Sequence, residues 1–129
     1  MLLAEHGLQT HAWDISPVAV EKLRAVALER RLPIIAEVKD ALRDPLPHAQ
    51  FDVIAVTHYL ERALTQPLVN ALKTGGLLFY QTFTRTAVSD EGPQKDEWRL
   101  ADGELLTKFA PLRPLVYREE GRIGALAHI

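Results

Sequence analysis

The pattern of hydrophobic and polar residues in the middle of the chain predicts a strand, a helix and a second strand. Residues 51–56, FDVIAV, form a nearly continuous apolar run rich in β-branched side chains, which is typical of a parallel strand covered on both faces. Pro67 begins a segment whose apolar residues share one helical face, and Gly75 with Gly76 predicts its end. Residues 77–83, LLFYQTF, are a second apolar run, so the sequence predicts a βαβ unit.

The first part of the chain predicts the same alternation of strands and helices. A short apolar stretch is expected to be the last turn of a helix that Gly7 ends. Ser16 as N-cap and Pro17 at the first helical position mark the start of a longer helix. The expected elements are a helical turn at 1–6, a strand at 8–13, a helix at 17–31 and a strand at 32–38.

The last part of the chain is expected to end in a pair of antiparallel strands. Residues 86–100 are polar and predict a long loop, and 102–109 predict a short helix. Two strands at 113–119 and 122–129 have only a short turn between them, so they must be antiparallel. The whole chain therefore predicts a single α/β domain, 1–129, with a doubly wound, mostly parallel Rossmann-like sheet and a C-terminal antiparallel hairpin.

Composition and charge narrow the classes of function. The 129 residues are 47% hydrophobic and 25% charged, which is ordinary for a domain with its own core. A formal net charge of −2 and the absence of a basic stripe give no indication of a nucleic-acid-binding surface. The chain has no cysteine and its five histidines lack ligand spacing, so no metal site is expected. No stretch has the length of a membrane span, and the expected location is the cytoplasm.

Several stretches resemble the second half of a class I S-adenosylmethionine-dependent methyltransferase. They are FDVI from Phe51, a helix ending LKTGG and the strand LLFYQTF. Thr84-Arg85 and the later ADGELLTKFAPL are similar to the small-molecule branch that includes the tellurite-resistance methyltransferases. The resemblance extends from about Gly7 to Ile129. It implies S-adenosylmethionine as cofactor and a small molecule as methyl acceptor.

Asp14 is the first candidate for cofactor binding. In doubly wound sheets, ligands bind beyond the carboxyl ends of the strands, and an acid there can bond both hydroxyls of a ribose. The family has an acid in this position, and Asp14 with Ile15 in AWDISP matches it. The alternative is that Asp14 forms a local turn with Ser16.

The corner after the next strand is the second candidate. In the family this corner holds the adenine, with an acid that accepts from the exocyclic amine and a backbone N–H that faces the ring. Asp40, Ala41 and Leu42 occupy that position here. The alternative is that Asp40 is an ordinary solvated acid in the loop DALRD.

The polar corner after FDVIAV is where the methyl donor and the acceptor are expected to meet. The resemblance assigns Thr57 to the cofactor, and Tyr59 could pack over cofactor or substrate. His58 is the candidate general base, because imidazole changes its charge near neutral pH. The alternative for His58 is a capping or surface role. Three residues at the end of the next strand could contact the acceptor: Thr82, Thr84 and Arg85.

The chain lacks the strand and the glycine-rich turn with which such nucleotide-binding folds begin. That turn lies about 20 residues before the ribose acid, which is upstream of Met1. None of the seven glycines belongs to a GxGxG motif. In the family's strand order, the missing first strand lies between the strands that end at Asp14 and Val56. Either these strands pair with each other, or a homodimer completes the sheet, or Met1 is an internal start of a longer enzyme, which we favour because helical residues precede Gly7.

The sequence thus leaves three classes of function open. The expected one is methyl transfer from S-adenosylmethionine to a small-molecule acceptor. A nicotinamide-dependent oxidoreductase would also use an acid such as Asp14 for a ribose. The third is a degenerate methyltransferase-like domain without catalysis, which would act as an interaction or structural protein.

Overall fold

The computed structural model of the protein describes residues 1–86 and 89–119, which belong to two compact units, Met1–Pro45 and Leu46–Ile129. The elements of the first unit are α1 (Leu2–Glu5), β1 (Thr10–Asp14), α2 (Pro17–Glu29) and β2 (Ile34–Val38). Those of the second are β3 (Phe51–Thr57), α3 (Thr65–Ala71), β4 (Leu72–Gln81) and α4 (Glu104–Lys108), with 3₁₀ turns at Arg62–Leu64 and Asp96–Trp98. No helix in the described part of the chain has the length and apolar character to cross a membrane. Helices combined with parallel sheets confirm the predicted α/β class.

The sheet of the first unit is a parallel pair of strands. Thr10 of β1 pairs with Ile34 of β2, and Asp14 pairs with Val38. The two strands therefore end at the same edge of the sheet. A parallel pair needs a crossover connection, which α2 supplies.

The helix α2 begins and packs as its sequence predicts. Ser16 is the N-cap, and its Oγ accepts a hydrogen bond from the Ala19 amide at 3.3 Å. Pro17 occupies the first turn, where a backbone N–H has no partner within the helix. Its lack of an N–H therefore costs no hydrogen bond. Val20 and Ala27 are 2% and 6% exposed, so the apolar face of α2 forms much of the core of this unit.

The second unit contains the predicted βαβ arrangement. The strands β3 and β4 pair in parallel, with Ala55 opposite Phe79 and Thr57 opposite Gln81. The predicted apolar runs are therefore neighbouring strands that end at the same edge. Apolar residues of the connection and of the start of β4 are buried: Leu60, Leu64, Leu68, Ala71 and Leu72.

Gly75 and Gly76 do not end the helix, contrary to the prediction. The helix α3 spans Thr65–Ala71, so it begins before Pro67 and ends before the glycines, which belong to β4. The pairing of β3 with β4 shifts register in this region. Gly75 has a φ of +81°, and a Cβ at Gly76 would lie 3.2 Å from the carbonyl oxygen of Asp52. The glycines thus accommodate a strand irregularity with close backbone approach.

The predicted C-terminal antiparallel hairpin is wrong for the part that the structure describes. Residues 113–119 form no strand. Pro114 has no amide hydrogen to donate to a strand ladder. The side chains of Leu115 and Val116 are 68% and 90% exposed, so no neighbouring layer removes them from water. The second predicted strand, 122–129, lies outside the described residues.

Candidate functional site

Asp14 is the last residue of β1, as predicted, and its carboxylate forms a local turn. Oδ1 accepts a hydrogen bond from the Ser16 amide at 2.8 Å. Oδ2 accepts none from residues 1–86 or 89–119. A carboxylate oxygen has two lone pairs, so this side chain can hold the turn and still accept from a ligand hydroxyl. The turn and a ribose contact are therefore compatible.

The corner after β2 lies beside Asp14 within the first unit. The Lys39 amide donates to the carbonyl oxygen of Asp14 at 3.1 Å, and Asp40 follows directly. Asp40 Oδ1 accepts from the Leu42 amide at 3.0 Å, while Asp44 Oδ2 accepts from the Asp40 amide at 2.8 Å. The structure therefore places side by side the two corners whose acids the family resemblance assigns to ribose and adenine.

Large apolar side chains are exposed around these two acids. Ile15 is 69% exposed, Leu42 is 55% exposed and Val38 is 47% exposed. Ala41 is half-buried at the same corner. Covering apolar surface with a ligand ring is favourable by roughly 25 cal/mol per Å². Acids next to uncovered apolar side chains suit a ligand that has both polar and apolar parts.

His58 follows β3 in a strained backbone conformation. Its φ is +55°, a left-handed value that costs a non-glycine residue roughly 1–2 kcal/mol. The His58 amide donates to the carbonyl oxygen of Gln81 at 2.8 Å. The imidazole lies 5.5 Å from the Phe83 ring, centroid to centroid, at an angle of 47°. Strain maintained by surrounding contacts is common at functional sites, and the role of His58 stays a prediction.

Tyr80 holds the same corner from β4. Its hydroxyl donates to the carbonyl oxygen of Tyr59 at 2.8 Å. Burial removes water from the phenol and raises the pKa of Tyr80 above its ordinary value of 10.0. The phenol is therefore protonated at neutral pH and remains a donor. The side chains of Thr57 and Tyr59 are exposed at this corner, where a ligand can reach them.

A buried arginine organises the long segment that follows β4. Arg99 is only 6% exposed. Its guanidinium donates to the carbonyl oxygens of Thr84, Glu91 and Pro93 at 2.9, 2.6 and 2.6 Å. The same group lies 5.4 Å from the centre of the Phe83 ring, within cation–π range. The rigid fork of donors thus connects Arg99 to the backbone at Thr84, Glu91 and Pro93.

Arg62 and Glu104 join the 3₁₀ turn after β3 to α4. Arg62 Nε and Nη2 donate to the two oxygens of Glu104 at 2.7 and 3.0 Å. The guanidinium also donates to the carbonyl oxygens of Glu97 and Arg99 at 2.6 and 3.0 Å. The hydrogen bond from Arg62 lowers the pKa of Glu104 and raises the pKa of Arg62 itself. Both groups are therefore ionised at neutral pH.

An open cleft lies at the carboxyl end of β4 in the second unit. It has a cavity volume of about 80 Å³, which is below the roughly 300–1,000 Å³ of typical small-molecule sites. Tyr80 lines both this cleft and a smaller cavity of about 10 Å³ that Arg62 and Glu104 border. We name it the β4 cleft; besides Tyr80 its lining includes Gln81, Thr82, Leu100, Leu105, Tyr117 and Glu119.

Sequence patterns did not predict the residues that support this region. Tyr80 was expected only as a buried strand residue, and Arg99 as part of a polar loop. Arg62 and Glu104 are 42 residues apart, and no spacing rule connects them. One available signal was the position of Arg99 between Trp98 and an apolar leucine, since an arginine beside apolar residues can be buried when its donors are satisfied.

Comparisons with known proteins add no assignment. A scan against protein-family models gives no match, and a search of curated proteins gives none either. Within the described ranges, no group of three or more histidine, aspartate or glutamate side chains is placed to hold a metal ion. The function proposed next therefore depends on the residues and their geometry.

Proposed function

We propose that the protein transfers a methyl group from S-adenosylmethionine to a small molecule, within a doubly wound Rossmann-like fold that forms a single domain. The observation that carries this proposal is the pair of acids, Asp14 and Asp40, at the adjacent carboxyl ends of β1 and β2. Ligands of parallel α/β folds bind beyond these strand ends, and an acid there suits a ribose. The second oxygen of Asp14, which accepts no hydrogen bond from the described residues, would accept one from a ribose hydroxyl.

The adenine would occupy the corner after β2. Asp40 would accept from its exocyclic amine, and a backbone N–H at Ala41 or Leu42 would face the ring. Ile15 and Leu42 are the exposed apolar side chains that the ring would cover. This arrangement uses every residue that the sequence assigned to the cofactor in the first unit.

The corner after β3 would serve the methyl transfer itself. The sulfonium of the cofactor supplies a transferable methyl together with its own leaving group, so alignment and exclusion of water are the main demands on the protein. Thr57 would contact the cofactor, and Tyr59 would pack over cofactor or acceptor. His58, held at positive φ between Gln81 and Phe83, would take the proton that the acceptor releases.

Calorimetric titration with S-adenosylhomocysteine tests this proposal. We expect micromolar binding, and about tenfold weaker binding for Asp14→Asn, because that change removes a charge-assisted hydrogen bond. Asp52→Asn is the matched control, since Asp52 is an exposed acid on β3 that pairs with Lys73 at 3.4 Å. Equal affinity of the wild type and Asp14→Asn would remove the ribose role.

A non-catalytic role is the second candidate, and the turn between Asp14 and Ser16 favours it. That hydrogen bond gives Asp14 a structural use that needs no ligand. Failure to bind both S-adenosylhomocysteine and NAD, together with a stable homodimer in sedimentation experiments, would support this role. Binding of NAD without S-adenosylhomocysteine would instead indicate an oxidoreductase.

A further inference from the structure

We infer that the β4 cleft binds a small amphipathic amine, which is the methyl acceptor under the proposed function. The binding half of this inference, that the cleft takes an amine, depends only on the cleft. The catalytic half, that this amine is the methyl acceptor, rests on the proposed function. The cleft lies wholly in the second unit and combines one held carboxylate with a wall of mixed polar and apolar side chains.

Glu119 is held through one of its two carboxylate oxygens, and the other oxygen makes no hydrogen bond to the described residues. Its Oε1 accepts hydrogen bonds from the Gly103 amide, at 2.6 Å, and from the Tyr117 hydroxyl. Its Oε2 accepts none from the described residues. Burial and the bond to Glu119 raise the pKa of Tyr117 to about 12, so the phenol stays a donor and keeps the carboxylate oriented.

The remaining lining is mixed, and its apolar part suits the body of a small ligand. Leu100 is 3% exposed and forms part of the wall together with Leu105 and the rings of Tyr80 and Tyr117. The hydroxyl of Thr82 makes no hydrogen bond within the described part of the chain. A mixed lining of this kind suits an amphipathic ligand with an apolar body and a polar head.

The charges that face the cleft decide which head group fits. Arg118 and Glu119 both line it. The available Oε2 of Glu119 favours a donor head, and an ammonium forms a charge-assisted hydrogen bond that is roughly twice as strong as a neutral one. A carboxylate head would meet the charge of Glu119 and would depend on Arg118 alone. The geometry therefore points to an amine. Binding of an anion is the alternative that the experiment compares with it.

The chemistry of an amine acceptor balances with the proposed methyl transfer. The ammonium, paired with Glu119 Oε2, first loses a proton to His58, the base of the proposed function, which passes it to solvent, and the nitrogen regains its lone pair. That lone pair forms the new N–C bond as the C–S bond of the methyl donor breaks, and the electron pair of the broken bond stays on sulfur. The products are an N-methylammonium ion, a neutral thioether and one released proton.

A matched set of three probes tests the binding half: benzylamine, benzyl alcohol and benzoate, each titrated into ¹⁵N-labelled protein at neutral pH. We expect benzylamine to bind most tightly and to shift the amide signals of Thr82, Leu105 and Tyr117. Glu119→Gln is expected to weaken benzylamine binding about tenfold. Glu91→Gln is the control, because the Glu91 carboxylate is exposed and makes no ion pair with described residues.

Three outcomes would overturn the inference: equal binding of benzyl alcohol, tighter binding of benzoate, or signal shifts confined to other residues. Should Glu119→Gln fail to fold, Thr82→Val provides a second variant, for which we expect weaker binding without loss of structure. A parallel titration with S-adenosylhomocysteine separates the two proposals. Cofactor binding without benzylamine binding overturns only the cleft assignment, and benzylamine binding without cofactor binding overturns only the methyl transfer.

Discussion

The hydroxyl of Tyr80 donates a 2.8 Å hydrogen bond to the carbonyl oxygen of Tyr59, and this bond connects β4 to the corner that follows β3. The residue before Tyr59 is His58, whose φ of +55° is unfavourable for a side chain with a Cβ. The hydrogen bond from Tyr80 and the one from the His58 amide to Gln81 lie on either side of this strained residue. Together they hold the backbone in a conformation that it would otherwise leave.

Tyr80→Phe is therefore expected to release the His58 corner. Loss of the hydrogen bond should lower the free energy of unfolding by about 1 kcal/mol. It should also change the NMR signals of the His58 ring, because the imidazole would move from its position 5.5 Å from Phe83. Tyr117→Phe, which removes a phenol hydroxyl elsewhere in the second unit, serves as control. Unaltered His58 signals in Tyr80→Phe would show that Tyr80 does not hold the corner.

Gly92 is expected to be much less tolerant of alanine than Gly103. Both have positive φ, +83° and +68°, so alanine is strained at either position by roughly 1–2 kcal/mol. A Cβ at Gly92 would also lie 2.7 Å from the Phe83 ring, whereas a Cβ at Gly103 would meet nothing within 4 Å. Overpacking should add roughly 1–3 kcal/mol to the cost of Gly92→Ala. Urea unfolding of both variants measures the difference, and equal stabilities would contradict the contact with Phe83.

The sequence predicted those features whose signal is local. The apolar run of β3 and the pair Ser16-Pro17 gave correct elements, because strand burial and helix capping depend on neighbouring residues. Gly75 and Gly76 were misassigned since a helix end and a strand irregularity both need glycine. The two roles can be told apart only when the structure shows that both glycines lie within β4.

The candidate site was predicted only where it coincides with strand ends. Asp14 and Asp40 follow strands that local patterns reveal, so their proximity could be expected from a parallel sheet. The bond between Tyr80 and Tyr59 and the burial of Arg99 depend on how distant segments pack, for which a single sequence carries no spacing rule. The hairpin prediction failed for a related reason. Apolar residues such as Val116 form a strand only where a neighbouring strand or layer covers them, and Val116 is exposed here.

Arg99→Gln is expected to open the segment after β4 to proteases. The change removes a guanidinium that donates to three carbonyl oxygens, and glutamine cannot reproduce that fork. Hydrogen bonds from a charged group contribute roughly 1.5–3 kcal/mol each, so the loss should exceed about 2 kcal/mol. Trypsin cleavage after the exposed Lys95, identified by mass, is the measurement. Arg85→Gln is the control because Arg85 is exposed, and equal cleavage rates in the two variants would contradict a special role for Arg99.

Acidification is expected to weaken the second unit through Glu104. Because the hydrogen bond from Arg62 holds the pKa of Glu104 below its ordinary value of 4.5, the folded protein binds this proton less readily than the unfolded chain does. The contribution of the pair to the free energy of unfolding is therefore complete above pH 4.5 and decreases as the pH falls through the lower folded pKa. Urea unfolding below pH 4.5 should show this decrease in the wild type and a flatter dependence in Glu104→Gln.

Asp52→Asn, which removes an exposed pair with Lys73, should keep the wild-type slope, because an exposed ion pair contributes little to stability. A slope in Glu104→Gln as steep as that of the wild type would mean that the proton responsible binds elsewhere.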